Sequence, residues 1–261
     1  MKFVFSLIAF NRFVGFGAAH KYWLLWSCLL AISGCQQLNN PNQAELPLAE
    51  NASGQPSWWR ASFQLSWDKE TPPRWHYGPF IAEQVILPVL QRHRGDIQLW
   101  RFHRRAGPDA TGHRFSFLYY ADQRSAAYIR DLIKKNRPLG ALIKKGTVLA
   151  VEIKPYVVKG GEKVSATSDP HWTPIMQQTW PHFLMGVSRM WLEQVILFSK
   201  QIDLASSLEN EGSAWDEGQD FSEHYIKVQS ALSQLWREEG NHAYLHHLNA
   251  IYAYQSLLQR Y

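Results

Sequence analysis

Cysteine is nearly absent from this chain. Only Cys28 and Cys35 occur among its 261 residues, so no disulfide can form within the long part of the chain that follows Cys35. The first 34 residues lack acids altogether but contain Lys2, Arg12 and Lys21. The chain after Cys35 must therefore fold around an ordinary hydrophobic core, and the chain begins with charge of one sign.

No apolar run near the start is long enough to span a bilayer. Residues 22–34 carry no charge, but a spanning helix needs about 20 apolar residues. Positive residues, a short apolar core and small residues before a break are typical of a secretory signal. Ile32, Ser33 and Gly34 precede Cys35 and resemble the lipobox of bacterial lipoproteins. The resemblance implies that residues 1–34 are removed and that Cys35 becomes lipid-modified; the alternative is an uncleaved anchor helix in which Cys35 is incidental.

The residues after Cys35 predict an anchor and a tether. Gln36 and Gln37 stand where lipoproteins of the Gram-negative inner membrane usually have Asp, so the resemblance implies the outer membrane. Each buried methylene of a lipid chain contributes about 0.8 kcal/mol, which makes an anchor of several chains effectively permanent. Residues 35–57 are rich in Asn, Gln, Pro and Ser and predict a flexible tether.

The charge balance argues against a nucleic-acid partner. Three of the 27 basic residues precede Cys35 and none of the 22 acids does, which leaves 24 bases against 22 acids, a balance of +2. Nucleic-acid-binding domains usually have a pronounced basic surface. Ten of the twelve Trp follow residue 35; they favour a core role over a sugar- or peptide-binding cleft, because most lie in segments of apolar periodicity.

Recognisable catalytic motifs are also missing. The chain contains no Gly-x-Ser-x-Gly, no Gly-rich phosphate loop and no thiol after Cys35. His242 and His246 lie four residues apart, but Ala243 stands where a zincin would have Glu. We therefore predict no metal, no cofactor and no catalytic residue, and favour a protein that is not an enzyme.

The order of apolar patterns predicts an α+β fold. Alternation of period two indicates strands and helical spacing indicates helices, with Asp122 as a helix cap. In chain order the predicted elements are a strand over 61–67, a helix over 79–93, strands over 97–104 and 114–120, a helix that Asp122 caps and that runs to 135, a short helical turn over 139–145, and a strand over 148–156. This is the ferredoxin-like split βαβ order, an antiparallel sheet with both helices on one face.

The remainder of the chain is predicted to be helical. Helices are expected over 179–200, 221–239 and 242–259, the last two separated at Gly240 and Asn241. We expect these helices to pack on the sheet, covering its other face. The chain then divides into a ferredoxin-like unit, residues 58–157, and a helical part of the same domain, residues 158–261.

Three pieces of the ferredoxin-like unit resemble one enzyme family. The segments 100–104 (WRFHR), 112–117 (GHRFSF) and 146–156 are similar to the C-terminal domain of lantibiotic and thiopeptide dehydratases. Members of that family act on peptides in the cytoplasm with aminoacyl-tRNA. Because export is predicted here, the resemblance implies only the α+β fold and not the activity.

A basic cluster on two predicted strands is the candidate ligand site. The ligand-binding candidates are Arg101, His103, His113 and Arg114, which form one run of polar residues with Arg104 and Arg105. Arginine suits carboxylate or phosphate, and Glu152 and Lys154 on an edge strand are expected to join the site. The alternative is that these charges pair with Glu152 or with acids on the covering helices.

Two functions remain open at this point. The first is a membrane-anchored, periplasm-facing lipoprotein that binds an envelope protein or an anionic ligand, or assists envelope assembly, without catalysis. The second is an envelope hydrolase or transferase that uses the Arg/His cluster. The absence of a recognisable catalytic set favours the first.

Overall fold

Four strands form one antiparallel sheet. A computed structural model of the chain describes residues 54–156, 162–209 and 221–257, which all belong to one unit, residues 50–261. Its strands are β1 (Ser57–Leu65), β2 (Leu99–Ala106), β3 (His113–Ala121) and β4 (Val148–Pro155). The strand order is β2-β3-β1-β4, and every neighbouring pair is antiparallel.

Helices follow β1, β3 and β4. In the described residues the α-helices are α1 (Tyr77–Phe80), α2 (Leu87–Arg92), α3 (Gln123–Lys134), α4 (Arg137–Lys144), α5 (Pro174–Glu209), α6 (Phe221–Gly240) and α7 (His247–Ile251). Two π-helical turns, Ile81–Ile86 and Asn241–His246, and one 3-10 turn, Val164–Thr167, complete the set. The predicted α+β fold with its split βαβ order is confirmed.

A proline shapes the first helical segment. Pro88 lies in the first turn of α2, where its missing N–H leaves no broken helical bond. The preceding π turn joins α1 to α2, and the backbone N–H of Leu87 donates to the carbonyl of Ala82, five residues back. A kink was predicted at Pro88, and at this point the helix accommodates the proline by the wider π turn that precedes it.

Side-chain caps start the two helices between β3 and β4. The Asp122 carboxylate accepts from the Ser125 N–H at 2.9 Å, which confirms the predicted cap. The Asn136 side chain accepts from the Leu139 N–H at 2.9 Å in the same way. Such a cap contributes about 1 kcal/mol to helix stability, so local sequence sets where both helices begin.

One face of the sheet is packed with aromatic rings. Alternate residues point to this side, and Phe63, Phe115, Phe117 and Tyr119 are fully buried there. Phe117 stacks on Tyr119 with ring centroids 5.1 Å apart. The helices cover this surface, which we call the aromatic face, and it holds the core.

Helix α5 covers the β2 edge of the sheet. The Phe102 backbone N–H points away from β3 and donates to Ser188 Oγ at 3.0 Å, while Trp191 of α5 packs on the Phe102 ring at 5.4 Å. This arrangement satisfies a donor that an edge strand would otherwise expose. The C-terminal helices therefore pack on the sheet as predicted, but along an edge and on the aromatic face. Helix α5 reaches the second face at one end, through Met185, and leaves the rest of that face open, so the predicted covering of the second face is wrong.

The opposite edge, β4, contains an irregularity that the alternation of its residues hides. Val148 pairs with Leu65 and Ala150 with Gln64, so the register shifts at Leu149. Leu149 is 58% exposed and does not share a buried face with Val151 and Ile153, contrary to prediction. The bulge turns its side chain outward.

The predicted stop at Gly240 is also wrong. Gly240 has φ −58° and is buried, and a Cβ there would approach the Trp236 ring to 3.2 Å. Glycine is therefore used for close packing of Trp236, and the chain continues helically through the π turn into α7, which ends at Ile251. Among the described residues, no helix is both long and apolar enough to cross a membrane.

Candidate functional site

The second face of the sheet carries a polar cavity. Its volume is about 430 Å³, and Thr111 and Tyr156 form part of its wall. The remaining lining residues share one strand face: Arg60, Ser62, Arg101, His103, Arg105, Arg114, Ser116, Leu118 and Glu152. We call this surface the basic face, because it holds four arginines and one acid.

Strand register arranges these residues in three rows. The first row places Leu118 of β3 between Arg60 of β1 and Arg101 of β2. The second row places Ser116 between Ser62 and His103. A row of hydroxyl groups and an imidazole therefore separates two basic rows.

The third row contains two arginines side by side. Arg105 and Arg114 are directly opposite in β2 and β3, a placement that repels. Arg105 pairs with Asp109 of the hairpin loop. Arg114 Nε donates to the Thr111 carbonyl at 2.9 Å, and its Nη1 donates to Ser62 Oγ at 3.4 Å. The Asp109 carboxylate, the Thr111 carbonyl and the Ser62 hydroxyl thus compensate the positive charge of the third row.

The first row is less well compensated. Arg60 Nη2 lies 3.7 Å from Glu152 Oε2, although Glu152 is closer to Lys154 Nζ, at 2.6 Å. Arg101 Nη2 donates to the Thr167 carbonyl at 3.3 Å. The Nε atoms of Arg60 and Arg101 and the Oγ1 of Thr167 are buried without a hydrogen-bond partner among the described residues.

Burial shifts the titration of the groups at this site. Desolvation lowers the pKa of Arg101. It also lowers the pKa of His103, helped by the charges of Arg101, Arg105 and Arg60, so this imidazole is neutral at neutral pH. The hydrogen bond from Lys154 is the main cause of a lowered pKa for Glu152. The cavity therefore keeps its carboxylate ionised while its histidine adds no charge.

An aromatic cluster closes one end of the basic face. Trp58 is 1% exposed and packs on Tyr120 with ring centroids 5.4 Å apart. Trp58 Nε1 donates to the Val164 carbonyl at 3.0 Å, and the Tyr120 hydroxyl donates to the Glu162 carbonyl at 2.6 Å. Residues 162–167 thus cover this end of the face, and the arginine rows border the remaining open part.

The structure brings together three of the four predicted ligand-binding candidates. Arg101, His103 and Arg114 all line the cavity. Arg101 lies opposite Leu118 and not Arg114, because the register places Arg114 against Arg105. Glu152 lines the cavity as expected. Lys154 adjoins the site because its Nζ lies 2.6 Å from the Glu152 carboxylate.

His113 lies elsewhere. It is on the aromatic face, 3% exposed, with its ring between Trp67 and Trp75 at 6.2 and 5.0 Å. Burial, with smaller contributions from Arg104 and His76, lowers its pKa to about 4. A neutral, enclosed imidazole on the wrong side of the sheet cannot contribute to the basic cavity.

Arg104 also belongs to the aromatic side. Its guanidinium lies over the Trp75 and Trp191 rings at 5.2 and 5.4 Å. Its Nη2 donates to the Trp75 carbonyl and to Gln229 Oε1, and burial lowers its pKa to about 10. Arg104 thus joins the segment after β1 to α5 and α6.

Sequence reasoning missed Arg60. The predicted strand began at residue 61, whereas β1 begins at Ser57. Extending the alternation backwards places Arg60 in phase with Ser62 and Gln64, on the polar side. This alternation was the available signal. The neighbouring residues Trp58 and Trp59 concealed it, because two apolar residues in succession interrupt the alternation, although each is buried on a different face of the sheet.

A second polar cluster joins the helices. Ser199 Oγ lies 2.9 Å from His224 Nε2, and His224 Nδ1 lies 3.3 Å from Asp203 Oδ1, the order of atoms found in Ser-His-Asp hydrolases. Ser199 is however only 5% exposed within α5 and also interacts with Glu83, to which Tyr225 donates at 2.9 Å. We assign this cluster a structural role linking α5, α6 and the π turn.

Comparison of the chain with protein-family models, curated proteins and solved structures finds no match. Among the described residues, no group of three or more His, Cys, Asp or Glu is arranged to hold a metal ion. Cys35 lies outside the described residues. The resemblances to lipoproteins and to the dehydratase domain therefore stay predictions.

Proposed function

We propose that this protein is a lipid-anchored envelope protein that binds an anionic ligand in the cavity of its basic face, without catalysing a reaction. One observation carries the ligand part of the proposal. Arg60 and Arg101 face the same cavity, and each has a buried Nε that lacks an acceptor among the described residues. A buried donor without an acceptor is costly, and a bound anion would supply the acceptor after a small side-chain rotation.

The size and chemistry of the cavity support this function. Its volume of about 430 Å³ lies within the range of small-molecule sites. Arginine presents a planar fork of donors that matches carboxylate and phosphate oxygens. The envelope location comes from the lipobox-like residues before Cys35 and from the tether, which would hold the cavity away from the membrane.

Calorimetric titration of the full chain in a non-ionic detergent tests ligand binding. We expect inorganic phosphate or citrate to bind, and the double variant Arg60→Gln/Arg101→Gln to lose that binding. The exposed Arg94, replaced by Gln, controls for loss of one positive charge. Absence of binding for both anions, or equal binding by the double variant, would exclude the cavity as an anion site.

The anchor is tested separately. Mass spectrometry of the protein purified from a Gram-negative host should show a chain that begins at Cys35 and carries acyl groups. Cys35→Ser should release the protein from the outer-membrane fraction or leave the leader attached. An intact leader with an unmodified thiol in the native protein would refute the envelope part of the proposal.

His103 favours one alternative, an envelope hydrolase or transferase. Its imidazole is neutral and exposed in the cavity between arginines, a state in which it can accept a proton. Turnover of p-nitrophenyl phosphate by the full chain, abolished in His103→Ala, would support this alternative. Binding without turnover would support the non-catalytic function.

A further inference from the structure

We propose that the ligand of the basic cavity is a phosphate monoester carried on a hydroxyl-bearing body, with the phosphate held between Arg60 and Arg101. This inference rests on the proposed function, since it names the class of anion that the same site takes. It follows from three features of the cavity: the spacing of the first row, the distribution of uncompensated charge, and the hydroxyl groups of the second row.

The cavity borders both arginines of the first row, which approach it from opposite sides. Arg60 and Arg101 are both paired with Leu118 across neighbouring strands. Adjacent strands lie about 4.8 Å apart, so the Cα atoms of the two arginines are separated by roughly 10 Å. The Leu118 side chain between them is 3% exposed and packs in an apolar cluster with Trp58 and Tyr120. An oxyanion at the side of Leu118 that lines the cavity, toward the second row, would receive a guanidinium from each side.

The uncompensated charge at this row matches a dianion. Arg105 and Arg114 of the third row are engaged by Asp109, by the Thr111 carbonyl and by Ser62. Arg101, by contrast, has only the Thr167 carbonyl as a hydrogen-bond acceptor among the described residues, and Arg60 shares Glu152, 3.7 Å away, with Lys154.

Two guanidinium groups that are only weakly paired, Arg60 with Glu152 at 3.7 Å and with the face of the Tyr156 ring, suit a phosphate monoester, which has a charge of about −1.5 to −2 at neutral pH. Two forks also need more oxygens than a carboxylate has. Each guanidinium can donate two parallel hydrogen bonds, and two arginines approaching from opposite sides therefore offer four. A phosphate monoester has three terminal oxygens, whereas a carboxylate has two oxygens and one charge. The buried Thr167 Oγ1, also without a partner, adds a hydroxyl beside Arg101.

The second row fits the remainder of such a ligand. Ser62 and Ser116 place their Oγ atoms 3.5 Å apart, and the neutral His103 lies beside them in the same row. Hydroxyl and imidazole groups both donate and accept hydrogen bonds, which matches the hydroxyls of a sugar or polyol. The cavity extends past the first row along this polar floor to Thr111.

Calorimetric titration of the full chain with four matched probes tests the class of ligand. The probes are glucose 6-phosphate, glucose, inorganic phosphate and glucuronate, near neutral pH. We expect glucose 6-phosphate to bind about tenfold more tightly than inorganic phosphate or glucuronate, since the latter two lack one of the recognised parts. Glucose alone should not bind measurably.

Variants link this preference to the first row. Arg101→Lys keeps the charge but removes the fork and should weaken glucose 6-phosphate binding about tenfold, whereas Arg94→Gln should leave binding unchanged. Circular dichroism of each variant shows whether it folds; if Arg101→Lys does not, Arg60→Lys serves in its place. Unchanged glucose 6-phosphate binding by a folded Lys variant would overturn the assignment to this row.

Failure of this inference can be told from failure of the proposed function. Glucuronate binding as tightly as glucose 6-phosphate would overturn the phosphate class but leave an anion site intact. Binding of none of the charged probes would remove both. Equal binding of inorganic phosphate and glucose 6-phosphate would overturn the part assigned to the hydroxyl row.

The phosphate could come from a soluble metabolite or from a lipid headgroup, and two short-chain lipids distinguish these sources. Dihexanoyl phosphatidic acid presents a phosphate monoester, and dihexanoyl phosphatidylglycerol presents a diester of single charge. Tighter binding of phosphatidic acid than of glucose 6-phosphate would assign a lipid source and, because its glycerol hydroxyls are esterified, would overturn the part assigned to the hydroxyl row; the reverse assigns a soluble source. Equal affinity for the two lipids would overturn the requirement for a dianion.

Discussion

The two faces of the sheet are built from the same strands but differ in what they bury. On the aromatic face, Phe63, Phe115 and Phe117 have essentially no exposed surface, and helices cover them. On the basic face, arginines and serines border a cavity of about 430 Å³. Side chains along a strand alternate in direction, so a single stretch such as β2 contributes Phe102 to the core and Arg101 and His103 to the site.

The difference shows which face serves stability and which is available for binding. Ring packing on the aromatic face removes apolar surface from water, at about 25 cal/mol per Å². The basic face concentrates like charges, which stabilise a fold only when a counter-ion is present. Substitutions should therefore act on stability through the first face and on binding through the second.

The largest expected effect comes from the aromatic face. Phe117→Ala removes a fully buried ring that contacts Trp100, Phe102 and Tyr119, and should lower the free energy of unfolding by about 3–5 kcal/mol. Tyr156→Ala, at the wall of the cavity, should cost only about 1–2 kcal/mol because that side chain is half-buried. Urea unfolding measures both, and equal losses would break the distinction between the faces.

The next largest effect is a pH dependence of the free energy of unfolding, caused by His113 on the aromatic face. His113 has a pKa of about 4 when folded against about 6.5 when unfolded. Between these values the unfolded chain binds more protons, so stability should fall as pH drops from about 6.5 to 4, by on the order of 3 kcal/mol. His113→Gln should flatten this part of the pH profile. A profile that is unchanged in the variant would show that other groups cause the loss.

On the basic face, removal of a side chain should raise the free energy of unfolding instead of lowering it. Arg101→Gln removes a half-buried charge that has no carboxylate within ion-pair distance among the described residues. Its removal should raise the free energy of unfolding by about 1 kcal/mol, while anion binding is lost. Thermal unfolding beside Arg94→Gln measures the change, and a clear destabilisation would mean that Arg101 has a structural role.

The smallest effect is expected at the outer end of the cavity. Arg105 and Asp109 form an exposed ion pair in the hairpin, and such pairs contribute about 0–1 kcal/mol. Arg105→Gln should therefore change the free energy of unfolding by less than about 1 kcal/mol, and high salt should reduce even that. A larger loss would indicate that the hairpin loop depends on this pair.

Much of the fold could be predicted because its signals are local. Alternation in β2 and β3, the cap at Asp122 and the helical spacing after it all depend on neighbouring residues. Leu149 misled the prediction for the opposite reason, because a shift in its pairing with the distant strand β1 exposes it. Gly240 misled it although its contact is local, because it packs against the Trp236 ring four residues earlier in the same helix.

The candidate site could be predicted only in part. Arg101, His103 and Arg114 were identified because like charges clustered along the chain. His113 was wrongly grouped with them, since adjacent residues of a strand point to opposite faces. Arg60 joins the site from a strand far away in sequence, and no local pattern connects it with Arg101.

By itself, the amino-acid sequence determined the types of the elements, their order and the alternation that separates apolar from basic side chains. These properties depend on propensity and periodicity, which act over a few residues. Only the tertiary structure decided that Arg60 and Arg101 flank Leu118, that α5 covers an edge and reaches the basic face at one end through Met185, and that the cavity stays open. Strand register and helix packing join distant residues, and the free energy that selects among such pairings depends on contacts that no short segment contains.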